Sequence, residues 1–509
     1  MRLSPQTLRE WLTGPGELAV LDAREEGEFG SGHLFWAVPC PLSRAELRVP
    51  ELLPRLSVRT VCVDDGRGVA ERLAALLEAR GTTEVHVLEG GTQAWQAAGY
   101  VLFSGVNVPS KAFGEWVEHH YGTESIDAPV LKAWQDEGRD VVVLDSRPFD
   151  EFNRMSIPGG INVPGGELAY RVGDLAPDPN TTIVVNCAGR TRSIIGAESL
   201  RRAGVPNRVV ALRNGTMGWS LAGLEVARGR EERYSAGAPQ TGGTALERAR
   251  GFAEASGVGV IGPLDLDRFE ADPDRTLYAL DVRDPAEFAE RRRPGSRNAP
   301  GGQLIQATDQ WIGVRGARFA LIDDDGVRAR MAGAWLRQMG HRDVFVVEGG
   351  LDELVPPEPV TPVPHEAETD EIPPGALVID LARSIDFRAG HVPDAVWGVR
   401  TRLDALRDRL AAAREVVVTS PDGVLAQWAL DELRGLTAGR VQALRGGTRA
   451  WRGTLAADRT DPADEACIDF YLRPYDRNSG VEAAMHAYLS WEIDLVHEIE
   501  RDGTVAFGV

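Results

Sequence analysis

Cys187 heads the segment Cys187-Ala188-Gly189-Arg190-Thr191-Arg192, with Ser193 next in the chain. A cysteine acts as a nucleophile through its thiolate, and anions of that kind are favoured by nearby cations and by unpaired backbone N–H groups. This segment offers both. Arg190 and Arg192 supply positive charge, and Gly189 lets the backbone curl so that successive amides point inward, a nest for an anion. The neighbours place the segment. Ile183-Val184-Val185 is an apolar, β-branched run of the kind that forms a buried strand. From Ser193 onward Ile194, Ala197 and Leu200 fall at helical spacing, with Arg201 and Arg202 in the last turn and Gly204 as a stop. The cysteine therefore stands at the carboxyl end of a strand, facing a helix amino terminus whose free N–H groups and dipole favour negative charge.

The same arrangement of elements recurs four times, which makes the chain a repeat protein. Each unit opens on an apolar strand ending in Asp: Ala19–Arg24, Val142–Arg147, Tyr278–Arg283 and Leu377–Arg383. A polar stretch carrying Phe29, Phe152, Phe288 or Phe387 follows, then a Gly/Pro turn into a short strand, a second apolar strand, a helix, and a third strand running into a glycine corner. Trp95, Trp219 and Trp451 recur at one place in that corner and read as core. The interval from Cys187 to Gly204 equals those from Asp64 to Gly81 and from Asp323 to Gly340. Strands alternating with helices at this spacing imply βαβ units and mostly parallel sheets covered on both faces, with ligands bound beyond the carboxyl ends of the strands. The expected fold class is α/β, as four tandem modules spanning 1–104, 111–228, 245–354 and 372–455, followed by a helical tail, 456–509. Ser104–Ser110, Gly229–Thr244 and the Pro/Glu-rich Val355–Pro374 are the joints. In the tail, Gly480–Arg501 reads as an amphipathic helix with Val481, Met485, Tyr488, Leu489, Val496 and Ile499 on one face. That face packs back onto a module or, alternatively, forms an oligomer contact.

A chain of 509 residues exceeds one core, and 43% hydrophobic with 26% charged residues is an ordinary globular balance. The net charge of −20 argues against nucleic acid or an anionic membrane as partner and makes the basic Cys187 loop more informative. No long apolar run or signal-like start is present, so a cytoplasmic protein is expected. The four cysteines, Cys40, Cys62, Cys187 and Cys467, form no CxxC pair, and no metal site is expected.

Asp-x-Arg after the first strand, the Gly-His or Pro-Gly turn, a strand–Cys–loop–helix and a closing Gly-Gly-x-x-x-Trp together resemble the rhodanese (sulfurtransferase) family. The resemblance covers all four modules. It implies that Cys187 carries a persulfide, that Ala188, Gly189, Arg190, Thr191 and Arg192 cradle the substrate, and that neither metal nor cofactor takes part. Arg190, in mid-loop, is the arginine expected to project into the cleft, and Arg192 closes the loop at the helix start. Asp145, Arg147 and Ser193 support the loop, the first two by bracing it. At the cysteine position the other modules carry Asp64, Asp323 and Ser420. A carboxylate holds no sulfane sulfur and repels an anionic donor, and serine without a paired base is a poor nucleophile. Modules one, three and four are therefore expected to be silent. Phosphatase chemistry is the nearest competitor, but its loops place five residues between Cys and Arg. Here Ser193 stands where that arginine would be, and the tighter loop favours sulfur transfer. Mercaptopyruvate-type loops in the family usually read Cys-Gly-Ser/Thr-Gly-Val, so thiosulfate is the expected donor, with glutathione persulfide next. Cyanide, a thiol or an acceptor protein would take the sulfur. The alternative is a non-catalytic scaffold or interaction protein with Cys187 as a redox sensor.

Overall fold

The computed structural model of the chain describes residues 1–349, 351 and 367–508. The glycine corner of module three at Gly350, the end of that module at Asp352–Leu354 and most of the Val355–Pro374 joint lie outside the described residues.

The β-branched runs form short strands in four successive sheets with one shared parallel order. In module two the neighbours are Ser125–Ile126, Val209–Leu212, Thr182–Asn186, Val141–Asp145 and Ile161–Asn162. The third and fourth sheets repeat this order around Leu277–Asp281 and Leu377–Asp380, and the first around Leu18–Asp22. Each sheet also contains an opening strand of two or three residues, too short to show a hydrophobic period. The helix after Cys187 runs Thr191–Arg202 and begins two residues before its apolar spacing does, because the Arg190 carbonyl already accepts the Ser193 and Ile194 amides, each at 3.1 Å.

The first three modules are fused. Val314–Arg315 of module three adds an antiparallel sixth strand to the first sheet, on Leu18–Asp22. Tyr278 of module three donates its hydroxyl to the Leu52 carbonyl of module one at 2.6 Å. The Trp335 indole N–H donates to Ser199 of module two at 2.8 Å. Modules two and three meet backbone to backbone: a Cβ on Gly302 would lie 2.7 Å from the Gly166 nitrogen. One apolar core runs through all three, including Leu52, Phe113, Val172 and Trp335. Module four keeps separate apolar clusters around Val418 and Leu433 and around Val417. It docks on module one through polar contacts, Arg400 to Glu46 at 2.7 Å and Arg402 to Glu28 at 2.9 Å.

The tail helix runs Val481–Asp502 and stops at Gly503, whose φ of 66° suits glycine. Its buried stripe is Met485, Leu489, Glu492, Leu495 and Ile499. Leu495 and Ile499 pack with Val108 and Ala112 on the linker helix, Val108–Tyr121, and Met485 and Leu489 pack with Met217 of module two. The stripe is thus spent inside the chain. No helix among the described residues is long and apolar enough to cross a membrane.

The seam between modules one and three holds a charge without an ion-pair partner. Asp309, in the short helix Thr308–Trp311, is buried, and that burial pushes its carboxyl from 3.8 up to about 7. For an acid shifted upward, the folded state holds the proton longer. Stability is therefore lost as pH rises from about 4 to 7, and no further above that. Asp309→Asn should be more stable than the wild type at pH 8, by an amount on the order of 4 kcal/mol, and close to equal at pH 4. Paired urea titrations at the two pH values check the sign.

Candidate active site

Cys187 follows Thr182–Asn186 and lies on the wall of a hollow of about 100 Å³. A water needs roughly 10–15 Å³ on this measure, so the hollow admits a small polyatomic anion. Cys187 is 2% exposed and lines this hollow. Its S–H points to Ser193 Oγ at 3.6 Å, and the Ser193 hydroxyl donates to the Arg190 carbonyl at 2.7 Å. Ser193 thus ties the sulfur to the turn of the loop.

Among the described residues, no protein acceptor is bound to the amides of Ala188 through Arg192. The loop is held instead by its carbonyls. Thr216 N–H donates to the Cys187 carbonyl at 2.9 Å, and Met217 N–H to that of Ala188 at 3.0 Å. This contact explains the glycine corner. Gly215 has φ 53°, and a Cβ there would meet the Cys187 carbonyl oxygen at 2.2 Å. Gly91 bears the same relation to Asp64, and Gly447 to Ser420.

The modules without a cysteine at this position show what such a cradle holds. In module one the Asp64 carboxylate accepts the amides of Gly66 at 2.8 Å, Val69 at 2.7 Å and Ala70 at 3.1 Å. Asp323 accepts the Ala329 amide at 2.9 Å, and Ser420 Oγ that of Ala426 at 3.3 Å. Asp64 thus takes the amides at the positions of Gly189 and Arg192, which hold no protein acceptor in module two, whereas the amide taken by Asp323 and Ser420 stands at the position of Ser193, which donates to the Arg190 carbonyl at 3.1 Å.

Asp145 and Arg147 form a buried two-pronged pair at 2.8 and 2.7 Å, and Arg147 also donates to the Met155 carbonyl at 2.6 Å. Asp22–Arg24 and Asp281–Arg283 repeat this pairing in modules that lack the loop cysteine. It belongs to the scaffold and braces the strand end beside the loop.

The loop arginines line the hollow, yet carboxylates hold both. Arg190 turns to the linker helix, where Glu115 grips it at 2.8 and 2.7 Å and Glu118 adds a further contact. Arg192 binds both oxygens of Glu151, at 2.9 and 2.8 Å. Burial works against each guanidinium, but these carboxylates hold both above the ordinary arginine range, and the Cys187 sulfur adds to the effect on Arg192. Burial would raise Glu151 as well; Arg192, with Arg473 and Arg147, brings it down to about 2. Arg328 stands in module three where Arg192 stands here, and it binds Glu287 at 2.5 Å, as Arg192 binds Glu151.

Part of the hollow comes from outside module two. Tyr471, Arg473, Tyr475, Asp476, Tyr488 and Glu492 of the tail line it, with Asn107 of the first joint and Lys111, the first residue of module two. Lys111 binds Glu492 at 2.7 Å and also Tyr488, and Thr191 Oγ1 lies 3.4 Å from Glu492. From the sequence, Thr191 is expected in the cradle and Tyr488 on the apolar face of the tail helix, while Tyr471, Arg473, Tyr475, Asp476, Glu492, Asn107 and Lys111 are given no role. Glu492 carried a signal, since a carboxylate between Leu489 and Leu495 on an apolar stripe must find a partner when buried. Glu151 carried another, because an acidic residue precedes the repeated phenylalanine in every module: Glu28, Glu151, Glu287 and Asp386.

The rhodanese-like domain family matches residues 4–98, 127–222 and 265–355, more than half of the chain. The chain belongs to the rhodanese family. The fourth rhodanese-like sheet, with the same strand order, lies beyond the matched residues. A crystal structure of a thiosulfate sulfurtransferase from Pseudomonas aeruginosa is similar along the whole length, at 42% identity and a TM-score of 0.93, covering 100% of this chain and 99% of that one. Shorter similarities link single rhodanese modules to other proteins. The HTH-type transcriptional regulator Rv0324 of Mycobacterium tuberculosis is 37% identical over 94 residues, 18% of this chain and 40% of the regulator. The uncharacterised protein YqhL of Bacillus subtilis is 33% identical over 89 residues, 18% of this chain and 69% of YqhL. The chain thus spans well under half of the first of these two relatives.

Proposed function

We propose that the chain is a thiosulfate sulfurtransferase whose sulfur carrier is Cys187. The Cys187 thiolate attacks the sulfane sulfur of thiosulfate. A new S–S bond forms, the bond to the sulfonate sulfur breaks, and its electron pair leaves with sulfite, so that the enzyme holds Cys–S–S⁻. Cyanide then attacks the outer sulfur and departs as thiocyanate, returning the thiolate; a thiol or an acceptor protein would take the sulfur in the same way. Both steps are nucleophilic displacements at sulfur with negative charge on the outer atom. Amides and a helix terminus fixed around that atom stabilise the charge without reorganising.

The observation that carries the reading is the row of amides from Ala188 to Arg192, which no protein acceptor holds, around the one cysteine that lines an anion-sized hollow. The full-length similarity to a protein named thiosulfate sulfurtransferase supports the choice of donor. Arg190 and Arg192 then act by holding the loop in shape. The test is sulfite release from thiosulfate against sulfur transfer from 3-mercaptopyruvate, with cyanide as acceptor. Thiosulfate should be the better donor by kcat/KM. Preference for mercaptopyruvate, or turnover of neither, would overturn the assignment.

A further inference from the structure

Six cations line the hollow over Cys187, and carboxylates hold five of them. Arg147 is bound by Asp145 at 2.7 Å, Arg154 by Asp476 at 3.0 Å, Arg190 by Glu115 at 2.7 Å, Arg192 by Glu151 at 2.8 Å and Lys111 by Glu492 at 2.7 Å. The sixth is Arg473. Among the described residues its guanidinium has neither a carboxylate nor a hydrogen-bond acceptor. It is also the one arginine of the set that belongs to no rhodanese module.

The backbone that carries Arg473 is pinned on both sides. Leu472 and Pro474 are buried. Upstream, the Ile468 carbonyl accepts the Gly27 amide of module one at 2.8 Å, and Tyr471 N–H lies 3.4 Å from Glu26 Oε1. Downstream, the Tyr475 carbonyl accepts from Arg154 of module two at 3.2 Å. The tail is thus strapped across modules one and two, with Arg473 at the hollow over Cys187. The arginine's charge reaches the walls, contributing to the low value of Glu151 at the base of the loop.

A thiosulfate dianion has two ends with different needs. The sulfane sulfur belongs at the Cys187 amides, and the sulfonate then points outward, where a guanidinium fork matches a pair of oxygens. We propose that Arg473 is the donor-positioning residue that binds the sulfonate end, so that the anion subsite of the catalytic module is supplied by the C-terminal tail. The ligand class is a small anion with a sulfonate-like head. This rests on the thiosulfate reading above.

Two measurements on the full chain separate this inference from that reading. In steady-state thiosulfate:cyanide assays, Arg473→Ala should raise the KM for thiosulfate about tenfold or more while kcat falls far less, and Arg473→Lys should recover part of the loss. Alkylation of Cys187, followed on its own peptide, should slow about tenfold in Arg473→Ala with anionic iodoacetate and change little with neutral iodoacetamide. If wild-type protein turns over thiosulfate and Arg473→Ala keeps its KM, the inference is overturned and the activity stands. If wild-type protein does not use thiosulfate, the donor assignment fails, and the alkylation ratio alone decides whether Arg473 is an anion receptor. An unchanged ratio would reject it.

Discussion

Cys187→Ser should release no sulfite from thiosulfate above background, a fall of at least about a thousandfold, while remaining folded. The substitution exchanges sulfur for oxygen in a site that already accommodates a polar contact to Ser193 at 3.6 Å, so packing changes little. The chemistry changes completely. A serine hydroxyl is protonated at neutral pH, and no histidine lines the hollow to take its proton. Even an alkoxide would carry no sulfane sulfur. The other cysteines offer no substitute. Cys40 and Cys62 are buried in the first module, where desolvation pushes Cys40 up to about 12 and Cys62 well above its ordinary value, so neither ionises. Nor should the modules without that cysteine step in, since Asp64, Asp323 and Ser420 carry no sulfur and turn their own oxygens to loop amides. Sulfite release retained within tenfold of wild type would mean that sulfur passes elsewhere.

The largest effect on stability is expected at Arg328, far from any sulfur. It is 1% exposed and sits between modules two and three, bound by Glu167 at 2.8 Å, Glu287 at 2.5 Å, Asp324 at 2.9 Å and Asp325 at 2.5 Å. Burial opposes its charge, but these carboxylates hold the guanidinium far above its ordinary range. Arg328→Met removes the cation and leaves Asp325, 5% exposed in its side chain, with its charge unmatched, while Glu167 keeps Arg171 at 2.9 Å. Breaking one side of a buried ion pair costs roughly 3–5 kcal/mol. We expect a loss of that size in the denaturant titration of the fused three-module core. A second substitution, Asp325→Asn, should return part of it by removing the stranded charge. An Arg328→Met protein as stable as the wild type would mean that the cluster is solvated and that the apolar core alone joins the modules. The wider consequence concerns Arg192. Because the same position makes the same carboxylate contact in a module without a cysteine, the Arg192–Glu151 pair is best understood as loop architecture.

The elements around Cys187 were readable because each leaves a local mark. Three β-branched residues before the cysteine give a strand, the spacing of Ile194, Ala197 and Leu200 gives the helix, and a glycine recurs wherever a Cβ would strike the carbonyl of the cysteine position. The four-fold repetition reinforced each mark. What stayed hidden depends on distance along the chain. Nothing near Arg190 indicates that Glu115, on a helix that reads as an ordinary linker, holds its guanidinium. Arg473 lies in an irregular stretch outside every repeat, so neither periodicity nor alignment of the copies points to it. The opening strands are fixed by their neighbours in the sheet and carry too few residues to declare a pattern. The fusion of modules one to three depends on pairs such as Tyr278 with Leu52, whose partners only folding brings together.

The central claim is that one sulfur, held in the amide cradle of module two, carries the transferred atom. Peptide-resolved mass analysis of wild-type protein, incubated with thiosulfate and freed of excess donor, tests it most directly. The account predicts a gain of about 32 Da, one sulfur atom, on the peptide containing Cys187, lost again on adding cyanide, with no gain on those of Cys40, Cys62 and Cys467. A gain on any of those three, or none at Cys187 while sulfite is being released, would contradict it.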